Sequence, residues 1–488
     1  MLFNSIAFAL FLPLVFALYW SPLRRSLRAQ NIVLITAGFV FYGWWDWRFL
    51  LLLLATSMTD YVVALAMAPA PKRSGVGART AEAPGRRKAL LAISLIGNLG
   101  TLGVFKYYDF FARSFAEAFG QVGITFSPFM LNVVLPVGIS FYTFQALSYT
   151  IDVYRRRIEA VDDLPAFMAF ISFFPQLCAG PIERASHMLP QFMRPRTFDS
   201  AMAADGMRQM LWGFFKKSVI ADSCAPLVQE IFSNYAHSGP STLLWGAFLF
   251  TFQIYCDFSG YTDVALGCAR LFGFELMRNF AFPYFSRDIA EFWRRWHISL
   301  TTWFRDYLYI PLGGSRGSTL FQARNIIIIF LVSGFWHGAN WTFLAWGLFN
   351  GLLFLPLLLT GNNRKHLGLV AEGRWFPTGR EALGMVLTFG CTLVAWVFFR
   401  APTITDALLY LKGMVSFGIF RPSHLFDPWI AGLIVVLLAV EWLRRDKQHG
   451  LQVGHLPAWV RRANYLGVFL LIFFFGRFAK TAFIYFQF

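Results

Sequence analysis

Two histidines, His297 and His337, stand in the most apolar stretches of this 488-residue chain. His297 lies in Phe292-Trp-Arg-Arg-Trp-His-Ile-Ser-Leu. His337 lies in Gly334-Phe-Trp-His-Gly-Ala-Asn-Trp. Each follows a tryptophan directly, Trp296 and Trp336. An imidazole in hydrocarbon lacks partners and costs free energy, so each ring needs buried partners or a task. Proton transfer is the task imidazole does best near neutral pH. Gly334 and Gly338 permit a tight bend or a close approach between two apolar helices. Non-helical backbone at membrane depth survives only where protein or a water-filled cavity surrounds it. A histidine at such a break can face that cavity, with Asn340 as a polar partner; the alternative is a structural histidine bonded to a neighbouring carbonyl. For His297 the alternative is a ring snorkelling at the interface beside its arginines, which this stretch taken alone favours. Two such histidines flanking one apolar hairpin point to function more strongly than either alone.

The other polar groups read differently. Asp257 and Asp263 lie deep in an apolar run and should face inward and be paired. A spacing of six does not place them on one helical face, so they are read as structural rather than as a catalytic carboxylate pair. Lys216-Lys217 and Glu183-Arg184 are read the same way. Arg305-Asp306 is either an ion pair orienting the turn Tyr309-Ile-Pro-Leu-Gly-Gly-Ser-Arg or a solvated pair. Five cysteines, none in a CxxC, argue for small buried hydrophobes rather than disulfides or a metal site. No P-loop, HExxH, GxSxG or strand-borne GxGxxG occurs, so ATP hydrolysis, zinc chemistry and hydride transfer have no support.

These groups must be positioned by a membrane scaffold. The chain is 57% hydrophobic, 19% aromatic and only 14% charged, whereas a soluble protein carries about a quarter charged residues. A span needs about 20 apolar residues. Such stretches fall near 4–20, 31–45, 49–68, 89–111, 130–151, 206–234, 241–266, 381–399, 428–443 and 464–486. Shorter apolar pieces at 164–178 and at 325–337 followed by 341–358 predict re-entrant or tilted helices and a hairpin. The expectation is an all-α, polytopic transmembrane bundle of about 11 spans with re-entrant and interfacial helices, one integral-membrane domain over 1–488. The first stretch has no basic flank and no cleavage site, and is read as a retained span rather than a signal peptide.

The formal net charge of +17 reads as cytoplasmic loop charge meeting anionic lipid, not as nucleic-acid binding. With the N-terminus outside, alternation places Arg24, Arg25 and Arg28, the segment 72–88, Arg155-Arg-Arg157, and the segments 184–196, 270–324, 364–380 and 444–462 inside. Arg48, Arg113, Arg400, Lys412 and Arg421 fall on the other side. Residues 70–88, rich in Pro, Gly and Ala, predict a mobile basic cytoplasmic loop. In the mixed region 270–324, Asp288, Glu291 and Arg295 share one helical face and Trp293, His297, Leu300 and Phe304 another. That pattern predicts one amphipathic helix, dipping into a polar cavity rather than lying flat on the interface.

With these motifs in view, the sequence resembles the membrane-bound O-acyltransferase family, in the bacterial branch typified by alginate O-acetyltransferase. The resemblance runs over most of the chain. It rests on Met1-Leu-Phe-Asn-Ser, Pro136-Val-Gly-Ile-Ser-Phe-Tyr-Thr-Phe-Gln, Phe173-Phe-Pro-Gln-Leu-Cys-Ala-Gly-Pro-Ile-Glu-Arg and Asp257-Phe-Ser-Gly-Tyr-Thr-Asp. It continues through the two histidine motifs, Arg305-Asp-Tyr-Leu-Tyr-Ile-Pro-Leu-Gly-Gly and the terminal Phe483-Ile-Tyr-Phe-Gln-Phe. The resemblance implies a helix bundle around a central funnel or tunnel, a catalytic histidine at His337 and a second functional polar residue at His297. It implies acyl transfer from a cytoplasmic thioester to a hydroxyl on the far side, with an exported acyltransferase partner that modifies a polysaccharide.

The expected donor is acetyl-CoA or another acyl thioester, used as substrate, with no bound cofactor or metal. The expected setting is the bacterial inner membrane, and the acceptor is an exported polysaccharide such as alginate, with cellulose, peptidoglycan and teichoic acid as alternatives. In this reading His337 and His297 carry the chemistry, Trp296, Trp336, Asn340 and Ser299 line the substrate path, and Asn340 or a backbone amide holds the developing oxyanion. The competing classes are a non-enzymatic transporter or channel, against which stands the lack of paired internal repeats, and a scaffold of a polysaccharide secretion complex. Thioester cleavage by isolated protein separates the first from the enzyme; a scaffold tolerates loss of both imidazoles.

Overall fold

The computed structural model describes residues 1–21, 25–68, 84–416, 423–478 and 483–484, which are helical throughout with no strand among them. They form two compact units, Met1–Ala203 with Ala269–Leu276, and Ala204–Cys268 with Met277–Phe488. Among the described residues, six helices are long and apolar enough to cross a membrane: Arg48–Met67, Gly85–Gln121, Thr319–His337, Trp341–Leu359, Gly379–Arg400 and Ala458–Phe475. Two shorter apolar helices, Ile6–Trp20 and Pro428–Leu443, accompany them. The chain is thus an all-α, multi-pass membrane protein, and these helices do not by themselves make up the expected total of about 11 spans.

The first unit opens with α1 (Ile6–Trp20), α2 (Leu27–Gly43) and α3 (Arg48–Met67). Next come α4 (Pro84–Leu102), continued through a wide turn into α5 (Tyr108–Gln121), then α6 (Ile139–Tyr154) and α7 (Leu164–Ser172). Two short helices, α8 (Phe174–Leu177) and α9 (Ala185–Phe192), follow. Most of the loop expected at 70–88 lies outside the described residues, as do Arg24 and Arg421, and residues 84–88 already belong to α4. The span expected at 130–151 begins only at Ile139, because Gly138 takes a left-handed φ of 75° to start α6 after an irregular stretch. Two buried carboxylates of this unit are paired, as burial among apolar helices requires. Asp60 on α3 accepts from Ser94 Oγ (2.5 Å) and Asn98 Nδ2 (2.9 Å) on α4, and Glu183 meets His187 Nδ1 at 2.9 Å.

The second unit contains most of α10 (Ser200–Phe214), then α11 (Asp222–Ser233), most of α12 (Pro240–Leu271), and the short α13 (Ile289–Arg295) and α14 (Ile298–Phe304). A hairpin of α15 (Thr319–His337) and α16 (Trp341–Leu359) follows, then α17 (Gly379–Arg400), α18 (Ile404–Met414), α19 (Pro428–Leu443) and α20 (Ala458–Phe475). In the span expected at 464–486 the helix ends at Phe475, and residues 479–482 and 485–486 lie outside the described residues.

The span expected at 206–234 is interrupted by a π-helical turn, Phe215–Ala221. An extra residue in the turn shifts the side-chain register, and the consecutive Lys216 and Lys217 both reach α12. Lys216 pairs with Asp263 (2.7 Å) and donates to Ser259 (2.9 Å), while Lys217 pairs with Asp257 (2.6 Å) and Asp222 (2.9 Å). The four charges are therefore paired and inward-facing, as the sequence reading expects. Helix α10 lies tight against α12 because Gly213 and Gly260 face each other: a Cβ on Gly213 would come within 2.6 Å of the Gly260 carbonyl.

Candidate active site

The amphipathic helix expected through His297 does not run unbroken. It stops at Trp296 and restarts at Ile298, so Trp293, His297, Leu300 and Phe304 do not form one continuous helical face. His297 sits at the break with φ 44° and ψ 53°, a left-handed conformation costing a non-glycine residue on the order of 1 kcal/mol or more. The periodicity misled because it continues across a break imposed from outside. The segment Asn279–Ala281 runs beside the break, receiving Ile298 N–H at Asn279 O (2.9 Å) and sending Ala281 N–H to Arg295 O (2.9 Å). Asp288 caps the start of α13 through Glu291 N–H (2.7 Å), and Glu291 is clasped by Arg287 (2.9 Å) and Arg295 (2.8 Å). Burial raises the Glu291 carboxyl pKa, but the bonds from Arg287 and the charge of Arg295 outweigh it and hold the group below the usual carboxylate range.

The His297 side chain is 1% exposed. Its Nδ1 lies 3.1 Å from Asn279 Oδ1, which also accepts from Ser299 N–H (3.2 Å) and Ser299 Oγ (2.9 Å). Phe258 meets the ring edge-on at 4.7 Å and Phe280 stacks at 6.4 Å. Burial pushes the imidazole pKa down to about 3, so the ring is neutral at physiological pH.

His337 ends α15, and Gly338-Ala339-Asn340 turns the chain into α16. The hairpin closes at glycines: a Cβ on Gly334 would collide with the Phe343 carbonyl, and one on Gly347 with the Phe330 carbonyl. The His337 ring is 4% exposed. It stands perpendicular to Trp346 at 5.1 Å and edge-on to Phe399 at 5.4 Å. The two imidazole centroids are 6.4 Å apart, a separation that one water or one hydroxyl can bridge.

The structure brings His297, His337, Trp336 and Trp296 together: Trp336 meets the His297 ring at 6.0 Å, and Trp296 packs on Trp396 at 4.9 Å beside Tyr255. Ser299 braces Asn279 with its hydroxyl. Asn340 caps α16 by accepting Thr342 N–H (3.0 Å) and donates to Pro402 O (3.0 Å). Its amide thus shapes the hairpin, and Asn340→Ala should lower thermal stability by about 1 kcal/mol with kcat falling less than tenfold, measured by detergent melts and initial rates. Arg305–Asp306 is a pair (2.7 Å) whose arginine is 59% exposed, matching the solvated reading. The turn after it is held instead by Asn325, which donates to Gly314 O at 3.1 Å.

A small polar pocket, with room for about one water, lies beside the same site. Its lining includes the exposed Gln448, the buried His449, Lys216, Asp263 and Arg278, and also Asn279 and Phe280, which touch the His297 ring. Arg278 donates Nε to Phe280 O (2.7 Å), and its buried Nη2 makes no hydrogen bond among the described residues. Sequence reasoning missed Asn279 and Arg278. The available signal was a side-chain amide and a cation set directly before the aromatic run Phe280-Ala-Phe-Pro-Tyr.

Residues 156–395, which include both histidines, match the model of the membrane-bound O-acyltransferase family. The chain is 40% identical to the probable alginate O-acetylase AlgI of Pseudomonas aeruginosa over 447 residues, 91% of this chain and 80% of that protein. It is 34% identical to the peptidoglycan O-acetyltransferase of Helicobacter pylori over 455 residues, 87% and 82% of the two chains. Similarity to the teichoic acid D-alanyltransferase of Streptococcus thermophilus is 31% over 286 residues, 54% of this chain and 68% of that one.

Proposed function

The chain belongs to the membrane-bound O-acyltransferase family and is an O-acyltransferase, and on that premise we propose that it moves an acetyl group from cytoplasmic acetyl-CoA across the bacterial inner membrane. The acetyl group then reaches a hydroxyl of an exported polysaccharide such as alginate, through an exported acyltransferase partner. The observation that carries the reading is the pair of buried imidazoles 6.4 Å apart, with Asn279, which holds one of them, also lining a small polar pocket. The similarity to alginate O-acetylases over 91% of the chain supports the choice of acceptor.

In this mechanism the donor enters beside this pocket, which must widen to admit it; Gln448, the exposed lining residue, lies in the segment 444–462 that charge alternation places inside. His337 takes the proton of the acceptor hydroxyl as its oxygen attacks the thioester carbonyl. The tetrahedral intermediate collapses, the C–S bond breaks, and the leaving thiolate recovers the proton from the imidazolium. His297 stands on the donor side and relays that same proton from the His337 imidazolium to the thiolate. The Asn340 amide is committed to its cap and to Pro402, so the oxyanion is assigned to a backbone N–H. Trp336, Trp346 and Phe399 close around His337, and one of these rings must swing to admit an alcohol.

The test is transfer from radiolabelled acetyl-CoA by purified protein in nanodiscs. Cleavage of the thioester that depends on His337 supports the proposal; tight binding without cleavage favours a transporter. In the same assay Arg278→Ala is expected to raise the KM for acetyl-CoA by about tenfold or more, the loss of a charge-assisted bond worth about 1.5–3 kcal/mol, with kcat little changed. An unaltered KM removes Arg278 from the donor path.

A further inference from the structure

A single amide oxygen fixes the chemistry of the second histidine. Asn279 Oδ1 accepts from Ser299 N–H at 3.2 Å, and a backbone N–H can only donate, so this contact settles which end of the Asn279 amide faces the site. The Ser299 hydroxyl donates to the same oxygen at 2.9 Å, and His297 Nδ1 lies 3.1 Å from it. The ring nitrogen facing an acceptor must carry the hydrogen. In a neutral imidazole the other nitrogen, Nε2, then holds the lone pair. The arrangement is braced from the backbone, since Asn279 O accepts Ile298 N–H at 2.9 Å and the left-handed φ of His297 sets the direction of its side chain.

Resting on the acyltransferase reading above, we propose that Asn279 is a positioning residue that locks His297 as the Nδ1–H tautomer and so makes Nε2 its proton-accepting atom. The amide is neutral, and that matters as much as its geometry. A carboxylate in its place would stabilise the imidazolium and turn the ring into a proton sink. An amide orients the ring without binding the proton that the ring takes up, so the proton can be passed on. Among the described residues, the rings that face His297 include Phe258, Phe280, Trp336 and His337, and of these four His337 is the titratable one. Asn279 also lines the small polar pocket, so one residue links the pocket to the state of the ring.

Two variants and two measurements test this. The first measurement is the 15N spectrum of histidine-labelled protein in nanodiscs, with His297 assigned by its loss in His297→Gln. Wild type should show a protonated Nδ1 and an unprotonated Nε2, and Asn279→Leu should mix the two tautomers. The second is the pH dependence of acetyl transfer. Asn279→Leu should lower kcat about 10- to 100-fold, the usual cost of removing a group that orients a functional histidine, with KM for acetyl-CoA within about twofold. The near-isosteric Asn279→Asp keeps the acceptor oxygen and so should fold and keep the wild-type Nδ1–H spectrum, with turnover lowered at neutral pH and recovered on the alkaline side, the acidic limb of its profile having moved to higher pH by more than one unit. An unprotonated Nδ1 in wild type, an unchanged spectrum in Asn279→Leu, or equal losses in both variants with no change of pH profile overturns the proposal. The spectrum reports the tautomer whether or not acetyl is transferred. If His337→Ala keeps full turnover, the proposed function fails while the spectrum still decides the role of Asn279.

Discussion

Replacing His337 with alanine should lower acetyl-transfer turnover by about 10²–10⁴-fold, the contribution general base catalysis makes where a positioned side chain supplies it. The expectation follows from placement. His337 ends α15 at the mouth of a hairpin closed by Gly334 and Gly347, and the rings of Trp346 and Phe399 hold it 6.4 Å from His297. The ring does not hold the hairpin shut: the carbonyl contacts at the glycines and the cap at Asn340 do that. His337→Ala should therefore accumulate in membranes at wild-type levels and melt within a few degrees of it. A loss confined to kcat, with the KM for acetyl-CoA preserved, identifies an interaction made in the transition state. His337→Gln keeps the size and polarity but not the basic nitrogen, and should be as inactive as alanine. Turnover near wild type in either variant at matched protein levels removes His337 from the chemistry.

What could be read in the sequence tracks how local each determinant is. The hairpin holding His337 was legible, because a helix end carries its own signals: small residues at the close approach and an asparagine cap opening the next helix. Asp257, Asp263, Lys216 and Lys217 were legible as paired, because charge among apolar helices has no other stable outcome. Which lysine meets which aspartate was not, since the register depends on the π-helical turn Phe215–Ala221, and no residue pattern marks that turn. The break at His297 was hidden for a related reason. The apolar period of 3.6 runs on through it, and the hydrogen bonds that impose the break come from Asn279–Ala281, outside the helix itself. Asn279 was invisible as a site residue because its partner lies 18 positions away in a stretch with no repeat to align them. Expected span ends were misplaced where apolar composition extended past a helix end, as beyond Phe475, or covered irregular backbone, as before Ile139.

The second large effect is expected at Lys217, far from any proton transfer. Its ammonium lies 2.6 Å from Asp257 and 2.9 Å from Asp222, with the three side chains 10%, 5% and 3% exposed. Lys217→Met removes the cation and leaves two carboxylates facing each other in a site that water hardly reaches. Breaking a buried pair from one side costs about 3–5 kcal/mol, because the surviving charge keeps its desolvation penalty and loses its compensation. A comparable loss would consume much of the stability of an ordinary domain, so the variant should accumulate poorly and melt well below wild type in detergent. The penalty belongs to the uncompensated charge rather than to the lost contact, and this makes a rescue possible. Asp257 also accepts Ile484 N–H at 2.7 Å, a bond that an asparagine oxygen can keep. Lys217→Met combined with Asp257→Asn removes one stranded charge and preserves that acceptor, so its melting temperature should lie above that of Lys217→Met alone. A double variant no more stable than the single one would mean that methionine fails at position 217 by its shape, and that the ion pair is not what holds the π-helical turn against α12.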